Sequence, residues 1–326
     1  MGSYRGIRAQ SAMEYLLNYA WVLLILAIVF AALFALGVFG NPNPQFAQPG
    51  GCRVQRVNGP GSTPQGLTGT CIGQLPLSVA KFDGTTAYAV IPQQNFTTNR
   101  NLQSLGVWVY LNALPTGSYY APVVAQQDPI YSSFHNLMGV DGTSIYVDTN
   151  GNVIYDLTTA CPISCLLTQT LQAQVTDAVV PDRWYYIYTT AEVQVSGVAN
   201  TVSICVASSP SSITCNTLTA TTGLNSPSID TAYYTVGSDL SGDYLSGYIS
   251  NLQIYDSVLS PANANALYLE GIGGAPIDIN QLVGWWPLNG NIDDYSGDGY
   301  SNTIAATSGN FAYSSTWYQT TKYKNP

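Results

Sequence analysis

The sequence predicts a mainly β protein in which an N-terminal long hydrophobic α-helix is followed by a β-sandwich. The helix is predicted because residues 15–39 contain neither a charged residue nor a proline. The sandwich is predicted because many short apolar segments after residue 76 are separated by turn signals such as Asp83-Gly84 and Asn150-Gly151. A length of 326 residues suits one large β domain, or two small ones, behind such a helix.

The segment 10–40 is long enough for a membrane span, because about 20 apolar residues at about 1.5 Å each cross a bilayer core. Arg5 and Arg8 precede it and favour a cytoplasmic N-terminus. A cleaved secretory signal is one alternative, but no small-x-small cleavage site follows Phe39. A plain membrane anchor is the other. Glu14 argues against a plain anchor, because a carboxylate near the membrane core needs a partner.

Glu14 is the fifth residue counted from Gln10, and a short basic leader precedes that glutamine. This arrangement resembles the class III signal peptides of archaeal type IV pilins, in which a prepilin peptidase cuts just before the glutamine. The resemblance implies cleavage between Ala9 and Gln10, retention of the helix, and assembly of the chain into a helical homopolymer by a membrane machinery. The new amine of Gln10 and the carboxylate of Glu14 would pair between subunits. Ser11 and Asn18 depart from the usual family residues.

Amino-acid composition predicts the remaining segment boundaries and the cellular location of the protein. Residues 1–9 form the leader, 41–75 a Pro/Gly-rich linker with a small loop region, and 76–326 the head. Only 8% of residues are charged and the net charge is -9, which falls to about -11 without Arg5 and Arg8. Nucleic acid is therefore excluded as a partner, since there is no basic patch to meet phosphate. The balance suits a cell-surface or extracellular protein that passes through the cytoplasmic membrane as a precursor.

All six cysteines follow the hydrophobic segment, and an even number outside the cell favours disulfides. Pairing of sequence neighbours is the simplest connectivity, although others remain open. A zinc site at Cys161 and Cys165 is disfavoured because the chain has a single histidine. Six free thiols are the remaining alternative. The expected bridges are Cys52–Cys71, Cys161–Cys165 and Cys205–Cys215.

Strands are predicted from apolar alternation and from β-branched and aromatic residues. In one of them Val107, Val109 and Leu111 face one side, while Trp108 and Tyr110 face the other. The predicted strands are 77–82, 88–91, 105–111, 144–147, 153–157, 184–190, 202–206, 232–236, 247–255 and 283–287.

One short helix is predicted in the head, with Ser260 as its N-cap, Pro261 in its first turn and Gly271 at its end. The motifs before and after it occur in an order that resembles the laminin-G-like, or concanavalin-A-like, jelly roll over about residues 76–300. They are Lys81-Phe-Asp-Gly84, Val107-Trp-Val-Tyr110, Asp182-Arg-Trp-Tyr185, Gly247-Tyr-Ile-Ser250 and the run 255–268. That family includes sugar binders, adhesion modules and structural domains, so the resemblance implies no single function.

Residues 282–297 resemble the segment that usually opens a laminin-G-like domain, yet here they follow the short helix. The resemblance implies a circularly permuted jelly roll, in which 282–288 inserts as a strand of the same sandwich. Trp285 or Trp286 would then point into the core, because successive strand residues face opposite sides. The alternative is that neighbouring heads exchange this C-terminal segment, in which residues 311–323 are rich in Tyr and Thr.

No catalytic pattern stands out, and we expect the chain not to be an enzyme. Glu192 and Glu270 are the only glutamates of the head and form no close pair in sequence, which disfavours a glycosidase. His135 is more typical of a structural histidine than of a base. Asn95 opens the one glycosylation sequon. Trp285, Trp286, Trp317 and the 24 tyrosines are candidates for stacking on sugars, although core positions are commoner for tryptophan.

Calcium is the one cofactor that the sequence leaves open. Two loops place oxygen-bearing side chains on alternate residues, which is a calcium-loop pattern, but neither has a downstream bidentate glutamate. Turns that satisfy their own backbone are the favoured alternative. The candidate ligands are Asp294, Ser296 and Asp298 in one loop, and Asp239, Ser241 and Asp243 in the other.

The function expected from these patterns is that of a structural subunit, a pilin, of an archaeal type IV pilus-like extracellular filament that serves adhesion. The helices would form the filament core and the β-sandwich heads its outer surface. A glycan ligand for the head is left open. The alternative is a membrane-anchored monomeric module that binds carbohydrate.

Overall fold

The computed structural model divides the chain into two units, Met1–Phe46 and Ala47–Pro326. The structure describes residues 21–22, 24–31, 52–56, 62, 64–69, 76, 78–91, 102–117, 120–127, 142–159, 169–193, 199–209, 211–220, 233–297, 305–306 and 312–314.

The first unit is helical at residues 21–22 and 24–31, and every side chain described there is exposed. At about 1.5 Å per residue these positions extend about 15 Å, half of a bilayer core of about 30 Å. No helix in the described part of the chain is long and apolar enough to cross a membrane. The prediction of an N-terminal long hydrophobic helix is therefore wrong for the described residues. Hydropathy reports which residues avoid water, and it does not fix where helical hydrogen bonding begins and ends.

The second unit is a sandwich of two antiparallel sheets. The larger has eight strands, and we call it the covered sheet because its outer face is buried. Its spatial order is β12 (Ser212–Ala220), β11 (Asn200–Ser209), β10 (Trp184–Glu192), β5 (Leu102–Leu111), β14 (Ser246–Tyr255), β3 (Val79–Asp83) and β17 (Ala312–Ser314). β15 (Leu282–Trp286) also pairs with β14, on the edge that β14 shares with β3.

The smaller sheet has seven strands, and we call it the open sheet because its outer face carries half-buried and exposed polar side chains. Its spatial order is β16 (Ala305–Ala306), β4 (Ala89–Ile91), β13 (Tyr233–Val236), β6 (Ala121–Gln127), β7 (Gly142–Val147), β8 (Val153–Thr159) and β9 (Gln169–Val175). A separate hairpin joins β1 (Cys52–Gln55) to β2 (Gly66–Gly69).

Alternation along each strand sends one set of side chains into the space between the sheets. In β5 this set contains Val107, Val109 and Leu111, and it packs against residues of the open sheet such as Ile145 and Tyr155. Trp108 lies on the opposite, outer face of β5, as the sequence predicts. The ten predicted strands are confirmed with bounds shifted by a few residues. β6, β9, β12, β16 and β17 were not predicted, and β1 and β2 lie in the region that was predicted as a linker and small loop region.

The strand predicted over 282–288 is present as β15. Both of its tryptophans are buried, but on opposite faces: Trp286 lies in the core between the sheets and Trp285 lies under the outer cover. The pairing partner β14 carries a bulge at Asn251, whose φ is 52°. The Asn251 Oδ1 accepts hydrogen bonds from the Nε1 of Trp285 at 2.8 Å and the Nε2 of Gln253 at 2.9 Å.

The outer face of the covered sheet is sealed by the short helix Pro261–Glu270 and by the segments around it. The helix begins as predicted, with Ser260 Oγ accepting a hydrogen bond from the amide of Asn263 at 3.2 Å. Its buried residues Leu267 and Tyr268 pack against Trp108 and other aromatic side chains of the sheet. The Trp108 and Tyr268 ring centroids are 5.2 Å apart, a distance typical of favourable aromatic pairs.

The hairpin of β1 and β2 packs on the same side of the sandwich. Val54 is buried in the outer cluster, and its amide donates to the carbonyl of Tyr295 at 3.2 Å. The half-buried guanidinium of Arg56 donates to three backbone carbonyls, those of Ser62, Leu282 and Ser296. Because these carbonyls belong to three separate segments, Arg56 fastens the hairpin to the sandwich.

Candidate functional site

Several predicted site residues lie outside the described part of the chain, and their roles stay predictions. This holds for the processing and assembly positions, the glycosylation sequon, the lone histidine, one tryptophan, one calcium candidate and half of the cysteines. They are Ala9, Gln10, Glu14, Asn95, His135, Trp317, Asp298, Cys71, Cys161 and Cys165.

The cysteines of the β11–β12 hairpin form a disulfide. Cys205 and Cys215 face each other directly across the hairpin, with Cα atoms 4.0 Å apart. This is the local pairing that the sequence predicts for these two residues. Cys52 is also disulfide-bonded, and none of the described cysteines is free.

The first calcium candidate is used by the fold itself. Asp294 Oδ1 accepts hydrogen bonds from the amides of Trp285 and Ser296, each at 2.9 Å. Its Oδ2 accepts from the Ser296 hydroxyl at 2.7 Å. Both carboxylate oxygens are therefore occupied in an Asx turn that holds β15, and a cation would have to displace these bonds.

The second candidate loop has the same character. Asp239 accepts hydrogen bonds from the amide and the hydroxyl of Ser241, and Asp243 accepts one from the amide of Tyr120 at 3.2 Å. Burial and the neighbouring Asp239 raise the pKa of Asp243. The described residues contain no group of three metal-ligating side chains, and these two loops fit turns better than they fit a calcium site with six or more oxygens.

The open sheet carries a linked polar cluster on its outer face. The Tyr146 hydroxyl donates to Asp156 Oδ2 at 2.7 Å and accepts from Gln172 Nε2 at 3.1 Å. Burial raises the pKa of Asp156, while the hydrogen bonds from Tyr146 and Gln172 oppose that rise. Tyr120 packs edge-on against Tyr146 with ring centroids 4.9 Å apart and is 44% exposed. The cluster gives this face one exposed aromatic ring beside hydrogen-bonding groups.

A cleft of about 290 Å³ lies where edge strands of the two sheets meet, between β9 with the turn that follows it and the β11–β12 hairpin. Its floor is formed by Val175, Tyr185 and Val206, which are 4–5% exposed. Asn216 on β12 reaches across to β9, where its Nδ2 donates to the carbonyl of Gln174 at 2.7 Å. Apart from Val206, the side chains that line the cleft from β11 and β12 carry hydroxyl groups, those of Ser208, Ser212 and Thr214.

Two charged residues also line this cleft, and local turns position both. Asp177 has a φ of 49°, and its amide donates to Asn152 Oδ1 at 2.9 Å. Arg183 follows Asp182, whose φ is 65° and whose amide donates to the carbonyl of Leu111 at 2.9 Å. The Arg183 guanidinium lies 5.9 Å from the centre of the Tyr185 ring. The cleft therefore combines an apolar floor, hydroxyl walls and one charge of each sign.

Sequence reasoning missed this cleft. In the sequence Arg183 stands out only as part of the motif Asp182-Arg-Trp-Tyr185, and β9 and β12, two of the strands that form the walls, were not predicted. A signal for β9 existed, because Leu171, Ala173 and Val175 alternate with polar residues. The meeting of β9 with β12 depends on the long-range arrangement of the sheets, which no local pattern encodes.

No protein-family model and no curated protein matches this sequence. Solved structures with some similarity include a Bacteroides ovatus protein assigned to carbohydrate binding, with 10% identity and a TM-score of 0.41 over 71% of this chain and 58% of that one. A SAP-like pentraxin from Limulus polyphemus has 13% identity and a TM-score of 0.38 over 74% and 94% of the two chains. The LG1–3 region of the laminin α2 chain has 12% identity and a TM-score of 0.36 over 59% and 33%. Likenesses this remote place the chain in no family and assign it no ligand.

Proposed function

We propose that the chain is the structural subunit of an archaeal type IV pilus-like extracellular filament that serves adhesion. The apolar N-terminal segments pack together as the filament core, and the β-sandwich heads form the outer surface. Copies of the same chain are its main partners. Its other partners are a prepilin peptidase that cuts before Gln10 and a membrane assembly machinery.

The observation that carries this proposal is the bare apolar surface of the first unit. Eight large hydrophobic side chains within ten helical residues are between 46% and 66% exposed. Burial of apolar surface contributes about 25 cal/mol per Å². An exposed apolar surface of this size is therefore expected to bind lipid or other copies of the chain. They are Trp21, Val22, Leu24, Ile25, Leu26, Ile28, Val29 and Phe30.

The residues around this segment favour copies over lipid as the final cover. Glu14 stands at the edge of the apolar run, where a lone carboxylate is costly and an amine from an adjoining subunit would neutralise it. Cleavage before Gln10 would create such an amine. The spacing of Gln10 and Glu14 is the pilin-like feature of the sequence.

Two further features support a place outside the cell. Disulfides such as Cys205–Cys215 persist in oxidising compartments and are rare in the cytosol. The low content of charged residues, 8%, leaves a surface rich in hydroxyl and amide groups. We propose a binding and structural role for the head and no catalytic one.

The test is to express the full chain and its Glu14→Ala variant in a host with the assembly machinery, and to image the surface filaments by negative stain. We expect filaments from the parent chain that start at Gln10 by N-terminal sequencing, and few or none from Glu14→Ala. Glu192→Ala, which removes a glutamate from the head, is the matched control and should assemble normally. Monomers that stay in the membrane fraction would favour the membrane-anchored module instead. A mature chain that starts beyond residue 40 would overturn the filament proposal, because it would lack the apolar segment.

A further inference from the structure

We propose that the cleft between β9 and the β11–β12 hairpin binds a small carboxylated sugar, such as a hexuronic acid. The inference concerns the head alone, and it holds whether or not the chain assembles into filaments. It rests on the size of the cleft, on the chemistry of its walls and on one arginine.

The size of the cleft limits the ligand. Its volume of about 290 Å³ lies just below the range for small-molecule sites, which is about 300–1,000 Å³. A single sugar ring, or the terminal ring of a longer chain, suits such a space. Val175, Val206 and Tyr185 close the bottom of the cleft, but they are 4–5% exposed and leave most of its accessible surface polar.

The walls offer hydrogen bonds to a polyhydroxylated ligand. Thr176 lies on one side, and Ser208, Ser212 and Thr214 lie on the other. Each hydroxyl both donates and accepts hydrogen bonds, as sugar hydroxyls do. The walls can therefore form hydrogen bonds with a sugar in several arrangements. The accessible lining of the cleft is mainly polar, which suits a polyhydroxylated ligand better than an apolar one.

The two charged residues of the cleft favour a ligand with an acidic group and determine its orientation. Arg183 is the one basic side chain among the described residues that line the cleft, and no carboxylate of the described residues forms an ion pair with it. Guanidinium groups bind carboxylates with two parallel hydrogen bonds. Asp177, also on the lining, repels a carboxylate and accepts hydrogen bonds from hydroxyls. The acid group of the ligand is therefore expected beside Arg183 and its hydroxyls beside Asp177.

The cleft is held in shape before any ligand arrives. The amides of Ala178 and Val179 both donate to the carbonyl of Gly151 at 3.0 Å, and the Val180 amide donates to the Tyr185 hydroxyl at 3.0 Å. Gly151 has a φ of 79°, and an added Cβ would meet the carbonyl oxygen of Val179 at 2.2 Å. Walls fixed in this way lower the entropic cost of binding.

The experiment titrates the full chain in detergent with glucuronate, and separately with glucose and with acetate, by saturation-transfer and chemical-shift NMR. We expect glucuronate to bind at least tenfold more tightly than either control, because only glucuronate joins the carboxylate to the ring hydroxyls. Arg183→Gln should weaken glucuronate binding at least tenfold and leave the weak response to glucose unchanged.

The matched control is Arg53→Gln, because Arg53 also lies over a tyrosine ring, that of Tyr295 at 5.1 Å, and does not line the cleft. It should bind glucuronate as the parent chain does. Equal affinity for glucose and glucuronate, no response to glucuronate, or unchanged binding by Arg183→Gln would each overturn the proposal. Filament yield is a separate readout, so failure of this site leaves the filament proposal intact, and absence of filaments leaves this site intact.

Discussion

The outer faces of the two sheets differ, although both sheets are antiparallel and share one core. In β14 of the covered sheet the last seven residues, 249–255, are all buried, whereas β7 of the open sheet alternates buried and half-buried positions from Ser144 to Val147. The difference comes from residues 261–297, in which the helix and the Asp294 turn cover the outer face of the covered sheet, while β15 joins the sheet itself beside β14. An antiparallel sheet can leave one face to solvent, and here only one of the two does so.

In this head, the buried contacts that stabilise the fold and the accessible polar groups lie on different faces. The covered face is filled with large aromatic side chains, and polar groups within it, such as Asn251 and Gln253, bond to one another. The open face and the cleft at the sheet edges keep hydroxyl, amide and charged groups accessible. Contacts with other molecules are therefore expected on the open sheet and at the edges, and stability is expected to depend on the cover.

The largest effect should come from matched aromatic truncations on the two faces. Trp108→Ala removes a side chain that is 2% exposed and packs on Tyr186 and Tyr268 with centroids 5.4 and 5.2 Å away. We expect it to lower the free energy of unfolding by about 3–5 kcal/mol. Tyr120→Ala, on the open face, should cost less than about 1 kcal/mol, because Tyr120 is 44% exposed.

Urea unfolding followed by tyrosine fluorescence and far-UV circular dichroism measures both values. Tyr120→Phe serves as the conservative control and should match the parent chain. Equal losses of unfolding free energy at the two positions would contradict the prediction that the covered face stabilises the fold more than the open face does.

The second effect concerns the exposed edge of the covered sheet. β12 is exposed along most of its length, so little apolar burial holds it, and the Cys205–Cys215 disulfide ties it to β11. The double variant Cys205→Ala/Cys215→Ala should lower the free energy of unfolding by about 2–3 kcal/mol, because the bridge closes a short loop.

Hydrogen exchange locates this loss. Faster exchange should appear in β12 and the end of β11, while amides of β5 and β14 in the middle of the sheet should report only the global change. Uniform acceleration across the whole sheet would show that β12 is not a separate weak edge.

The sequence predicted the parts of the sandwich that follow a local rule. The helix Pro261–Glu270 was found to the residue, because a serine cap, a proline in the first turn and a terminal glycine are local signals. The facing of Trp108 and Val107 followed from period-two alternation. The burial of Trp286 followed from the resemblance of the C-terminal segment to a known opening strand.

Features that depend on the assembled sheets were not predicted. β12 exposes most of its side chains, so it lacks the apolar alternation that marks a strand. Pro122 and a register shift interrupt the pattern of β6. Both tryptophans of β15 are buried because a distant helix covers the second face, which the alternation of β15 alone cannot show. The long N-terminal helix was expected from hydropathy, which does not set helix length.

The smallest effect is expected at the turn that joins β3 of the covered sheet to β4 of the open sheet. Asp83 Oδ1 accepts hydrogen bonds from the amides of Thr85, Thr86 and Ala87 at 2.8–2.9 Å, and Oδ2 accepts from the Thr86 hydroxyl at 2.8 Å. Burial raises the pKa of Asp83, but these amides and the hydroxyl outweigh it and hold the pKa well below its usual range. The ionised carboxylate therefore stabilises the turn, and hence the link between the sheets.

The sign of the pH dependence follows from that lowered pKa. Stability from Asp83 is fully present above the unfolded value of about 3.9 and is lost as the pH falls below it toward the folded value. Asp83→Asn should lower the free energy of unfolding by about 1 kcal/mol at pH 7, because an amide replaces the carboxylate acceptor. The variant should also lose less stability than the parent chain between pH 5 and about pH 2.5, since it has no carboxylate to protonate here. Urea unfolding of both proteins at these pH values measures the difference, and an identical loss in the two would show that Asp83 titrates as it does in the unfolded chain.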